Sequence, residues 1–156
     1  MNIVFLDIDG VLASWLKMGV NRDEFGIPFE QAAIEALNEI TNHIDGKIVI
    51  SSTWRETRKL ETFQKFFKER GIEAEVVGMT PELDTGRADE IQKWIDENEV
   101  EYFVIIDDNT RGIEEHFKEN MNVLRTNLYR CLDHYDYLYV KRGFKLHKGI
   151  RGRIKL

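Results

Sequence analysis

The 156-residue sequence has one cysteine, Cys131. A lone cysteine excludes an internal disulfide and fits a reducing cytoplasm. We read Cys131 as a half-buried structural thiol rather than a nucleophile. Long apolar runs are absent, so no segment is expected to span a bilayer. The opening Met1-Asn2-Ile3-Val4 lacks the basic flank of a signal peptide, and a cytoplasmic location is expected. Repeats, low-complexity tracts and linker-like stretches are also missing, which leaves a single domain over 1–156 as the expectation. The four histidines, His43, His116, His134 and His147, have no metal-ligand spacing and are read as non-catalytic.

Acidic residues are absent after Asp136. Residues 1–120 carry 13 Lys and Arg against 26 Asp and Glu, a balance of −13, whereas residues 121–156 carry 9 against 2, a balance of +7. A basic C-terminal extension from about residue 127 on an acidic body points to a polyanionic partner, or to packing of tail on body.

What is present is a globular composition, 42% hydrophobic and 32% charged, at a length that buries a real core. The apolar run Ile3–Leu6 ends in Asp7-Ile8-Asp9-Gly10. Residues two apart on a strand face the same side, so Asp7 and Asp9 at a strand end can share one site. Two like charges that close call for a cation. Residues 11–27 read as loop, and Pro28 suits the first turn of a helix whose apolar face runs from Phe29 to Ile44. Lys47–Ile50 is a short buried strand ending in Ser51-Ser52. A second helix follows to about Arg70, closed by Gly71. Glu73–Val77 is read as a third strand, a helix opens near Arg87, and Glu101–Ile106 is a fourth strand ending in Asp107-Asp108. Ile113–Glu119 is read as helix and Asn122–Arg125 as a fifth strand. This alternation predicts an α/β fold: a parallel sheet with helices on both faces.

In such a sheet the ligand crevice lies outside the carboxyl ends of the strands. That rule gathers Asp7, Asp9, Ser51, Ser52, Asp107 and Asp108 in one place, with Arg87 entering the same face. The alternative is that each is a turn or capping residue; three coincident strand ends argue for a site.

These residues resemble the motifs of the haloacid dehalogenase-like (HAD) phosphohydrolases. Asp7-Ile8-Asp9-Gly10-Val11-Leu12 resembles the first motif, Ser51 the second, Arg87 the third and Ile106-Asp107-Asp108 the fourth, over roughly residues 2–125. Ser51-Ser52-Thr53-Trp54-Arg55 with Arg87, Glu90-Ile91 and Trp94 resembles the small HAD domains of RNA-repair proteins and, more loosely, polynucleotide 3'-phosphatases. The resemblance implies a Rossmann-like sheet of about five strands in the order 3-2-1-4-5, read as capless from the short gaps at residues 13–28 and 53–86.

It also implies roles. Asp7 would be the nucleophile that becomes an aspartyl-phosphate, and Asp9 the general acid and base. Asp7, Asp107 and the carbonyl of Asp9 would hold Mg²⁺, with Asp108 close by or bonded through water. Ser51 and the backbone at Ser52 would bind phosphoryl oxygens. The third motif usually carries lysine; here Arg87 is the choice and Lys93 its rival. Arg55 is read as substrate-binding, with an exposed first-turn residue as the alternative. Trp54 is a core side chain or a base-stacking platform. Asn109 and Arg111 orient the metal loop or cap the next helix.

The gaps at residues 13–28 and 53–86 leave no room for a full cap, so an open site for a bulky or polymeric end is expected. Lys141, Arg142, Lys145, Lys148, Arg151, Arg153 and Lys155, interleaved with Tyr135, Tyr137, Tyr139 and Phe144, suit a single-stranded RNA or DNA end. Alternatively the tyrosines pack a final strand. The leading expectation is a Mg²⁺-dependent phosphomonoesterase acting on a nucleic-acid 3'-phosphate or a nucleotide. The alternatives are a small-metabolite phosphatase and a non-catalytic phospho-acceptor or nucleic-acid-binding module.

Overall fold

The strand β1 (Asn2–Leu6) lies at the centre of a parallel sheet, and its residues Ile3 to Leu6 are fully buried. A strand covered on both faces must be apolar at every position. Alternate residues serve two cores. Val4 and Leu6 join Ile48, Ile50, Val104 and Ile106 on one face. Ile3 and Phe5 join Val49 and Ile105 on the other. In this computed structural model, residues 1–17, 19–20, 22–119 and 122–144 are described.

The remaining strands are β2 (Gly46–Ile50), β3 (Val76–Met79), β4 (Tyr102–Asp107) and β5 (Val123–Arg125). All pairings are parallel and the order is β3-β2-β1-β4-β5, as expected. The chain moves outward from β1 to β3, then crosses back to β4, so the switch point falls between β1 and β4. The helices α1 (Gln31–Ile44) and α2 (Leu60–Glu69) cover the first face. The helices α3 (Arg87–Glu97) and α4 (Ile113–His116) cover the second. A fifth helix, α5 (His134–Tyr139), packs on α1 and runs into a π-helical turn, Val140–Phe144.

Several boundaries differ from the sequence reading. The helix α1 begins at Gln31 rather than Pro28, because Glu30 N–H is taken by the Leu12 carbonyl. The second helix is interrupted: a 3₁₀ turn at Thr53–Glu56 precedes α2. Its N-cap is Ser52, whose side chain accepts from Trp54 N–H. The strand β3 lies three residues beyond the expected start. Asn38 of α1 holds the Gly71 carbonyl and the Glu73 N–H, and pairing with β2 begins only at Val76. Gly78 within β3 runs close under Trp94, where a Cβ would meet the indole nitrogen at 3.1 Å. The helix α4 stops at His116, and β5 starts at Val123.

The tyrosines near the C-terminus do not form a strand. Asp133 and Asp136 make a reciprocal capping box that starts α5, and Tyr137 and Tyr139 pack against the core. Of the expected basic extension, Lys145, Lys148, Arg151, Arg153 and Lys155 lie outside the described residues, as does His147. Cys131 is fully buried rather than half-buried, and burial first, with acidic neighbours, pushes its thiol up to about 12. Among the described residues no helix is long and apolar enough to cross a membrane.

Candidate active site

The register of the sheet sets the site. Leu6 is the Cα partner of both Ile50 and Ile106, so the next residues, Asp7, Ser51 and Asp107, come level on three adjacent strands. The ladder continues through Asp7 N–H to the Ile106 carbonyl and Ser51 N–H to the Leu6 carbonyl, both at 3.0 Å. All three residues are buried, Ser51 and Asp107 completely.

After Asp7 the chain turns tightly. The Ile8 carbonyl accepts from the N–H groups of Val11, Leu12 and Ala13. Gly10 has φ +75°, and a Cβ there would lie 2.7 Å from the Asp108 side chain. Only glycine allows the Asp7–Asp9 loop and the Asp107–Asp108 loop to approach this closely. Thr126 after β5 secures the contact by donating from Oγ1 to the Gly10 carbonyl at 2.7 Å.

Carboxylate oxygens of Asp7, Asp107 and Asp108 lie within 4.8 Å of one another. Burial, and then the charge of Asp107, push Asp7 up to about 8, against the lowering influence of Arg87. Burial also raises Asp107, while Arg87 and the Asn109 N–H act the other way. The arrangement holds more negative charge than its one cation balances, and its donors are hard oxygens, so the residues fit a divalent cation such as Mg²⁺.

That cation is Arg87. Its Nη1 lies 2.6 Å from Asp107 Oδ2 and 3.5 Å from Asp7 Oδ2. A cation in the first turn of a helix opposes the helix dipole, so its placement serves the two aspartates rather than α3. Burial disfavours its charge, yet Asp107 and Asp7 outweigh that and raise its pKa. The rival Lys93 is an exposed residue paired with Glu97.

Asp9 stands apart from the other carboxylates. It is half-buried, and the indole Nε1 of Trp54 donates to its Oδ2 at 3.1 Å. Burial raises its pKa and the Trp54 hydrogen bond opposes the rise. Trp54 is therefore neither simply core nor a free stacking platform. Its packing against Phe29 and Phe66 fits an apolar side chain, but the bond to Asp9 has no periodic signature in sequence.

Ser51 Oγ is fully buried and has no hydrogen-bond partner, the one such side-chain atom among the described residues. An orphaned buried hydroxyl costs about 1–3 kcal/mol, which a bound acceptor would relieve. The Asn109 N–H donates to Asp107 Oδ1 at 2.9 Å, and its side-chain Oδ1 accepts from the Arg111 N–H at 3.3 Å.

Arg55 corrects the sequence reading in both of its forms. It is neither exposed nor open to a substrate. Its guanidinium is buried, donating to the carbonyls of Ser51, Ser52, Thr80 and Pro81 and to the Glu90 carboxylate. Of the described histidines, His134 pairs with Glu39, His116 contacts Gln92 and Asp89, and His43 packs on Tyr137, and none lines the cavity over Asp7 and Asp9.

The aspartates open on a cavity of about 470 Å³ that also touches Trp15, Arg87, Asn109 and Arg111. The segment that follows the first motif contains only turns and a short 3₁₀ piece, Trp15–Lys17, so no cap closes over it among the described residues. A family model for the HAD domain in Swiss Army Knife RNA repair proteins matches residues 3–136. Searches of curated proteins and of solved structures return no match.

Proposed function

The chain belongs to the family of HAD domains in Swiss Army Knife RNA repair proteins, and on that premise we propose that it is a metal-dependent phosphomonoesterase acting on a nucleic-acid 3'-phosphate end. The observation that carries the reading is the level alignment of Asp7, Ser51 and Asp107 at three neighbouring strand ends, with Arg87 bridging two of them.

Asp7 is the nucleophile. Its oxygen attacks phosphorus, the bond to the leaving oxygen breaks, and Asp9 delivers the proton that the leaving alcohol needs. Water then attacks the aspartyl-phosphate, Asp9 takes its proton, and phosphate departs with both carboxyl groups restored. Division of labour follows from surroundings: Asp7 is buried beside Arg87, whereas Asp9 is half-buried and oriented by Trp54. Ser51 Oγ–H donates to a phosphoryl oxygen, with the backbone N–H of Ser52 alongside. Arg87 offsets the charge that builds on the transferring group. Asp7, Asp107, Asp108 and the carbonyl of Asp9 would hold Mg²⁺. The ion, when bound, neutralises the carboxylates and polarises the phosphoryl oxygens.

The open site favours a polymeric end over a small metabolite, which a lid would enclose. A phospho-acceptor module of the response-regulator type places its phosphorylated acid at the end of the third strand. Here β3 ends at Met79 and is followed by Thr80.

The test is phosphate release from 3'-phosphorylated oligonucleotides, free nucleotides and sugar phosphates, with and without Mg²⁺. Mg²⁺-dependent release with preference for the oligonucleotide is expected, abolished in Asp7→Asn and in Asp9→Asn. Full activity of Asp7→Asn would refute the covalent route, and equal rates on all substrates would refute the nucleic-acid assignment.

A further inference from the structure

The opening over the aspartates has a smaller neighbour, a cavity of about 250 Å³ between the segment after the first motif and the 3₁₀ turn Thr53–Glu56. Trp15, Arg22, Gly26, Trp54 and Arg58 line it together with Asp9. Asp9 and Trp15 line both cavities, whereas Asp7 lines only the larger. The two carboxylates thus share the larger cavity, and the smaller one is lined by Asp9 without Asp7. If Asp7 attacks phosphorus and Asp9 protonates the departing oxygen, the reading on which this inference rests, the leaving oxygen lies beside Asp9 and away from Asp7, and the smaller cavity is the space that meets both conditions.

We infer that this smaller cavity is the leaving-group subsite, and that it takes a nucleoside bearing at least one further phosphate. Its lining matches that chemistry. Trp15 is 47% exposed at the boundary between the cavities, an aromatic face open to a flat heterocycle. Arg22 and Arg58 have no carboxylate within ion-pair distance among the described residues. Two guanidinium groups without a direct ion pair, Arg58 sensing only the more distant charge of Asp9, mark a place for an anion, and their planar forks suit phosphate. The Arg58 guanidinium lies 4.4 Å from the Trp54 ring centroid, so the side chain that orients Asp9 also positions a cation.

The wall formed by residues 23–27 is held in advance. Asp23 and Gly26 exchange backbone hydrogen bonds. Arg70 donates to the Ile27 carbonyl and to Asp23 Oδ1, both at 2.9 Å, and its guanidinium stacks over Phe29 at 4.3 Å. A wall tied down in this way binds without paying to order itself.

The experiment measures binding by isothermal titration to the Asp7→Asn protein, which holds substrate without turnover. The probes are a 3'-phosphorylated dinucleotide and inorganic phosphate. The dinucleotide is expected to bind at least about tenfold more tightly than phosphate. Arg58→Gln and Trp15→Ala, both at partly exposed positions, should each cut that preference by about tenfold, and Arg58→Lys by less. Equal affinity for the two probes, or a variant that weakens both by the same factor, overturns the subsite. Phosphate release by the unmodified protein is read separately. Dinucleotide preference without release supports a nucleotide site in this cavity and refutes the phosphatase reading, and with it the leaving-group role. Release with no preference dependent on Arg58 or Trp15 does the reverse.

Discussion

Arg55 Nη2 lies 2.7 Å from Glu90 Oε2, and both side chains are buried. The pair joins the turn after β2 to the first turn of α3, so it ties Ser51 to Arg87 through one contact. Every remaining donor direction is used as well: the guanidinium reaches four carbonyls, and the other Glu90 oxygen accepts from Leu83 N–H at 2.9 Å. A buried pair so fully bonded is favourable only while both members are present.

Glu90→Ala is therefore expected to destabilise the protein by roughly 3–5 kcal/mol, since it leaves a buried guanidinium uncompensated. Denaturant unfolding measures the change. An unaltered midpoint would show that Arg55 finds another partner.

Ser51→Ala should behave in the opposite way. It removes a hydroxyl that has no partner in the folded protein, so the melting temperature is expected to stay level or rise slightly. Phosphate release should fall by about tenfold to a hundredfold, the loss of one hydrogen bond of about 1.5–3 kcal/mol to a charged group. Loss of stability together with activity would assign Ser51 to structure alone.

The pH dependence of stability follows from Asp7. Its pKa is about 8 when folded against 3.8 for the ordinary side chain, so between these values the folded state binds more protons than the unfolded state. Stability of the cation-free protein is then highest at the acidic end of this window and falls as pH rises through it. Added Mg²⁺ should stabilise increasingly over the same interval, because the ion competes with the proton. Melting temperatures at several pH values, with chelator and with Mg²⁺, test this. In Asp7→Asn the slope should flatten, and a slope unchanged by that substitution would point to other groups.

Trp54→Phe keeps the ring packing and deletes the donor to Asp9. Turnover is expected to drop about tenfold or more, from loss of a hydrogen bond of about 1.5–3 kcal/mol to a charged group. The pH–rate limb belonging to Asp9 should move upward, because the indole hydrogen bond holds its pKa down. A rate loss with no movement of the limb would make Trp54 a packing residue only.

The sheet and the polar strand ends were legible because the strands are short and apolar, and three of them, β1, β2 and β4, are stopped by acids or serines. The outward direction of Lys93 was also legible, since helical spacing sends it to the surface, where it pairs with Glu97. Arg55 was not legible. Its position beside Ser51 looks like a phosphate contact, but the turn it stands on folds the side chain back beneath the loop toward Glu90, 35 residues on. The same holds for Trp54, whose partner Asp9 lies 45 residues away.

Local pattern by itself determined the α/β alternation, the order of the elements and the residue types waiting at the strand ends, because periodicity and turn chemistry act over a few positions. Register, burial and side-chain direction depend on which strands become neighbours. Only the tertiary structure brought Asp7, Ser51 and Asp107 level and drew Arg55 inward. It also set Asp9 facing a second cavity.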